Sequence, residues 1–213
     1  MQNVIGRLST AQGALTSYDV TMSVSGPETM EMTGAADLAG GKRNVAMALT
    51  NPDLGEMEVR LVDGVLYLRL AMLTGDTFLQ LDPNDASNEL ASAFAGMGDS
   101  IVESGFEGTE EAVVSVTPIG SPETLDGVEV QAYELVMDTT KFSTDAANEL
   151  LEDGMAMLPP TITYTYWLDA DDIPRKTVYE VAGTTTTLII TNIGSGAPVT
   201  APAPEQITTD MPF

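Results

Sequence analysis

The residues able to do chemistry in this chain are almost all carboxylates. Asp and Glu number 32 against 8 Lys and Arg, and none of the 213 residues is His or Cys. Without imidazole or thiol there is no Ser-His-Asp or Cys-His nucleophile and no disulfide. Haem, iron–sulfur or zinc ligation by those residues is equally excluded. Paired carboxylates could still serve as glycosidase acids, but no spacing singles out an acid and a base. The Ser and Thr hydroxyls lack an activating His, and Lys42, Lys141 and Lys176 stand among polar neighbours. Asp169-Ala170-Asp171-Asp172 invites a calcium reading. An EF-hand loop needs Gly at its sixth position, where Pro174 stands, so this run reads as an acidic hairpin loop. Asp82-Pro83-Asn84-Asp85 reads as a turn and helix cap in preference to a metal site. No catalytic residue, metal site or cofactor is expected, and the chain is read as a non-enzyme.

The formal net charge of −24 repels phosphate backbones and anionic headgroups, which excludes electrostatic binding of nucleic acid. At 43% hydrophobic and 19% charged, the chain can bury a sizeable core. No apolar run approaches the ~18 residues of a membrane span, and no basic-then-apolar signal segment opens the sequence.

The elements that must position these residues are mostly strands. Tyr18, Val20, Met22 and Val24 alternate with polar residues, as do Met30, Met32, Gly34, Ala36 and Leu38. Val45, Met47 and Leu49 follow, then Met57, Val59 and Leu61, and Asp63-Gly64 predicts a tight hairpin into Leu66, Leu68 and Leu70. Residues 77–81 are a further short strand. Leu90, Phe94 and Met97 carry helical spacing over 85–97; Ala147, Leu150, Leu151 and Met155 do so over 143–157. Strands are predicted over 113–119, 128–138, 161–168, 173–182 and 184–193, and a Pro/Ala-rich tail runs from 194 to 213. The fold class is α+β: hairpin-length connections impose an antiparallel sheet, and so many strands must curl into a half-barrel with a few helices across its concave face. One domain over 1–213 is expected.

Twelve Met among 213 residues suit either an adaptable core or the wall of a cavity for flexible chains. Aromatic residues are few, and Gly34, Ala35, Ala36, Ala46 and Ala48 are small, which leaves room on a face or simply reflects composition. Arg43, Arg60 and Arg69 fit offsets for carboxylates across strands better than a ligand's anionic head.

Three stretches carry a likeness to a known group. They are Tyr18–Ser25 with the Met-rich strand after it, the hairpin from Gly55 to Leu68 with Phe78-Leu79-Gln80-Leu81-Asp82, and the late pair from Gly120 to Tyr133 and from Tyr166 to Lys176. In this order they resemble actinobacterial cell-envelope lipoproteins of the LppX and LprAFG type. The resemblance implies a fold like the carriers LolA and LolB, with an apolar cavity between sheet and helices that takes acylated lipids or glycolipids. It also implies an extracytoplasmic place, at the cell envelope or secreted, with a lipidated Cys at the start. This chain has no Cys, so membrane contact is expected only through an anchor outside this sequence or transiently. Such acidity suits neutral or glycosylated lipids better than heavily phosphorylated ones.

The expected cavity wall is Met22, Met32, Met47, Met57, Val59, Leu61, Leu66 and Leu68, under a helical lid of Phe94, Met97, Leu150, Leu151 and Met155. Expected partners are acyl chains and envelope transport proteins, with the chain a monomer. The alternative is a structural or interaction module of the envelope with the same fold and a filled core.

Overall fold

Strict two-residue alternation puts apolar side chains on one side of an extended backbone, and that pattern forms strands through most of the chain. The computed structural model describes residues 4–27, 29–51, 55–83, 88, 91, 109–143, 159–181 and 183–209. In chain order these give helix α1 (Val4–Gly13), then strands β1 (Ser17–Ser25), β2 (Met30–Asp37), β3 (Asn44–Asn51), β4 (Gly55–Val62) and β5 (Val65–Leu70). A one-turn helix α2 (Ala71–Thr74) and strand β6 (Phe78–Leu81) follow. The rest is β7 (Val113–Leu125), β8 (Val128–Asp138), β9 (Thr161–Leu168), β10 (Pro174–Val181), β11 (Thr184–Thr191) and β12 (Ile207–Thr208). Asp63-Gly64 and Asp126-Gly127 turn their hairpins with positive φ at both residues, the geometry that selects Asp-Gly.

The chain divides into two compact units, each gathered from separated stretches. The first comprises residues 1–14, 24–28 and 104–190. Its strands run in the order β11-β10-β9-β8-β7, every pair antiparallel. Helix α1 lays Val4, Ile5 and Leu8 against Leu135, Met137, Tyr166 and Leu168 to make the core. Tyr164 stacks on Tyr166 with ring centres 5.9 Å apart and leans on Tyr179 at 5.1 Å. Burial, with smaller contributions from neighbouring tyrosines, pushes the Tyr164 and Tyr166 hydroxyls well above the ordinary phenol range.

The second unit comprises residues 15–23, 29–103 and 191–213, with strand order β12-β6-β5-β4-β3-β2-β1. A parallel pairing sets Ile207 and Thr208 beside Phe78 and Leu79. The segment before β12 is tied along β1: Gly194 N–H donates to Ser17 O (2.8 Å), and Ala197 N–H to Asp19 Oδ1 (3.0 Å).

Three features depart from the sequence expectation. Strand β7 does not stop at Ile119 but continues to Leu125, because a bulge absorbs Gly120 (φ 67°) and pairing resumes at Glu123 opposite Val130. Helix α2 forms where no element was expected, since the Thr74 hydroxyl bonds both Leu70 N and Leu70 O at 3.1 Å and closes the turn. The tail is extended as expected but also supplies β12. The helices expected over 85–97 and 143–157 lie outside the described residues apart from Asn88, Ala91 and Ser143.

Candidate functional site

The apolar face of the second unit is assembled by register. Gly34, Met47, Val59, Leu68 and Leu79 lie side by side across β2 to β6. On one side of that row is a second, Ala36, Val45, Leu61, Leu66 and Leu81. On the other is a third, Met32, Leu49, Met57 and Leu70. Cross-strand neighbours share a face, so this is one continuous hydrocarbon surface three rows deep.

Enclosure is graded along it. In the middle row Met47, Val59, Leu68 and Leu79 are all buried, Leu68 completely at 0% exposure. In the third row Met32, Leu49, Met57 and Leu70 are all half-buried. The face is thus closed at its middle and partly open toward the ends where β5 enters α2 and β4 begins.

Of the expected wall residues, Met32, Met47, Met57, Val59, Leu61, Leu66 and Leu68 fall on this face. Met22 lies on the same side of β1 as Val20, whose Cγ1 stands 3.0 Å from where a Cβ on Gly34 would be. The same Cβ would stand 3.0 Å from Ala46 O, so a larger residue at Gly34 would need Val20 and the β3 backbone to give way. The five expected lid residues, Phe94, Met97, Leu150, Leu151 and Met155, lie outside the described residues. Among the described residues Ala91, fully buried, packs with Leu66, Leu68 and Leu79 on this face. Leu49 and Leu70 were not in the expected wall, although the same alternation points to them.

The opposite face joins ionic pairs to a small apolar cluster covered by the C-terminal segment. Glu58 accepts from Arg60 Nε at 2.8 Å and lies 3.2 Å from Arg69 Nη2; these guanidinium groups sit 5.0 and 5.9 Å from the centre of the Phe78 ring. Arg60 also donates to Thr200 O at 3.2 Å, and Val199 packs with Val62, Tyr67 and Phe78. These arginines offset a carboxylate and hold the C-terminal segment, and on their side of the sheet the apolar residues form a separate, closed cluster.

In the first unit, the acidic run after β9 uses its carboxylate locally. Asp169 Oδ1 accepts from the amides of Asp171 and Ile173, and Oδ2 from Arg175 Nε at 2.8 Å. A groove of about 390 Å³ opens beside it, between Gly6, Arg7, Thr10, Ala11 and Ala14 of α1 and Asp171 and Asp172. Among the described residues, no three carboxylates gather to hold a cation. No described helix is long and apolar enough to cross a membrane.

No protein-family model matches the sequence, and no curated protein does. Solved structures do. The lipoprotein LppX from Mycobacterium tuberculosis matches with a TM-score of 0.60 and 13% identity, over 93% of this chain and 97% of LppX. LprF from Mycobacterium bovis matches with a TM-score of 0.57 and 16% identity, over 95% of this chain and 96% of LprF. A LolA superfamily protein from Nitrosomonas europaea stands further off, with a TM-score of 0.33 and 10% identity over 89% of this chain and 90% of its own. At such identities the likeness is one of fold: this chain has the fold of LppX and LprF.

Proposed function

We propose that the protein is a non-enzymatic carrier of acylated lipid or glycolipid at the cell envelope, holding acyl chains against the apolar face of β2 to β6. The observation that carries this reading is the three-row hydrocarbon surface with its half-buried third row. A methylene moved from water onto such a surface gains ~0.8 kcal/mol, so a single acyl chain supplies ample driving force. Met32, Met47 and Met57, all on that face, are unbranched and can follow a flexible chain. The wall residues from Met22 to Leu68 and the lid residues from Phe94 to Met155 named from the sequence are the proposed contacts. The net charge of −24 favours cargo with an uncharged or glycosylated head.

A filled-core interaction module is the second reading. It is favoured by the completely enclosed Leu68 and the nearly enclosed Leu66 and Leu79.

Native mass spectrometry and lipid extraction of the purified protein, with Met57→Trp beside it, separate the two. The carrier reading expects bound lipid in the native protein and loss of that lipid from a folded Met57→Trp. Native protein that is empty after exposure to membrane lipid, together with a Met57→Trp that is destabilised by overpacking, would overturn it.

A further inference from the structure

Among the described residues, the two most exposed large apolar side chains are adjacent: Met72 at 73% and Leu73 at 57%. A solitary exposed hydrophobe needs no explanation, but this pair occupies a built position. Helix α2 is closed by hydrogen bonds from Gly75 N–H to Ala71 O (3.1 Å) and Thr77 N–H to Thr74 O (3.1 Å), and by the Thr74 hydroxyl, which accepts from Leu70 N–H and donates to Leu70 O. The Met72 side chain lies across Gly55, whose hypothetical Cβ would stand 3.4 Å from its Cγ. The turn therefore holds two hydrocarbon side chains outward when folding them inward would have removed them from water.

Its place on the sheet gives the pair a use. It directly follows Leu70 in the half-buried third row, and Met72 lies across Gly55, two residues before Met57 of the same row. The charges beside it are mutually engaged: Arg69 Nη1 is 3.7 Å from Glu56 and Arg69 Nη2 is 3.2 Å from Glu58. With Asp76 close by in the chain and the whole molecule at −24, the described charges at this end do not favour an anionic surface.

We infer that Met72 and Leu73 form a wedge that enters a lipid surface of uncharged or zwitterionic headgroups and sets the open end of the apolar face against it. The purpose of this contact rests on the carrier reading; its measurement does not.

The test places a reporter in the wedge. Leu73→Trp is made in a Trp167→Phe background, which removes the only native tryptophan, and is mixed with phosphatidylcholine vesicles. The expected result is a blue shift and quenching by brominated acyl chains. Val114→Trp, at an equally exposed site (56%) on β7, is expected to show neither. The double variant Met72→Ser/Leu73→Ser is expected to lower partition into the same vesicles about tenfold or more, with its melting curve unchanged. No shift for Leu73→Trp overturns the proposal. So does an equal shift at Val114→Trp, undiminished binding by the double variant, or binding that requires added phosphatidylglycerol. Insertion of Leu73→Trp by a protein that never holds lipid would sink the carrier reading and leave the wedge standing. A double variant that keeps its lipid but no longer binds vesicles supports both.

Discussion

Truncating Leu68 to Ala is expected to cost the fold several times what truncating Met57 costs. Both side chains lie on the same apolar face, one row apart, and differ chiefly in enclosure. Leu68 is 0% exposed between Val59 and Leu79, whereas Met57 stands in the half-buried row opposite Leu70. Leu68→Ala removes three buried carbons, a transfer loss of about 2.4 kcal/mol at ~0.8 kcal/mol each. The unfilled space adds to this, bringing the total to about 3 kcal/mol, within the ~2–5 kcal/mol of such substitutions. At ~2–4 °C per kcal/mol for a chain of this size, Tm should fall by about 6–12 °C. Met57→Ala, already partly solvated, should lose about 1 kcal/mol and about 2–4 °C. Urea titration gives the free energies, with unchanged slopes confirming that the same surface unfolds, and calorimetry gives Tm. Equal losses at the two positions would refute the graded enclosure. A loss below about 1 kcal/mol at Leu68 would refute its tight burial.

Asn44→Ala should cost about 1–3 kcal/mol by chemical denaturation, because Asn44 Oδ1 accepts from the amide of Asp63 at 2.9 Å and the turn would lose that partner. Glu58→Gln should lower stability by about 1 kcal/mol, and a double-mutant cycle with Arg60→Ala should show coupling, since one carboxylate holds both guanidinium groups above Phe78. Gly196→Ala should free the C-terminal segment from β1, seen as faster amide exchange over 194–209, because its Cβ would fall 2.7 Å from Tyr18 N. Alkaline titration followed by tyrosine absorbance should show Tyr164 and Tyr166 ionising late. Their folded values lie above the ordinary 10.0, so the stability they contribute is complete below pH 10 and is lost as pH rises beyond it. Unfolding and late ionisation should therefore coincide; separate transitions would contradict the burial.

The apolar face was legible because strand alternation is a local signal. Met32, Met47, Met57, Val59, Leu61, Leu66 and Leu68 could be assigned to one side from their spacing alone, and the Asp-Gly turns set the hairpins. What joins distant segments was not legible. The guanidinium of Arg60 meets the carbonyl of Thr200, 140 residues on, and nothing near Arg60 announces it. The strand expected over 113–119 stops short of Pro122, yet a bulge carries β7 past it, since the ladder with β8 outweighs local punctuation. Likewise α2 depends on one hydroxyl reaching back four residues, a contact that residue types do not declare. The gradient from closed to half-open rows is a tertiary property and has no signature in the alternation.

Two residues of the C-terminal segment, Ile207 and Thr208, run beside Phe78 and Leu79 of β6. Bare strand borders are templates on which a second molecule can add its own backbone. This short parallel splice acts like a hem: it lines the Phe78–Leu79 part of that margin with the chain's own residues. Trimming those two residues should bare that stretch of border for another strand to join, although every side chain of the hydrocarbon face would still be present.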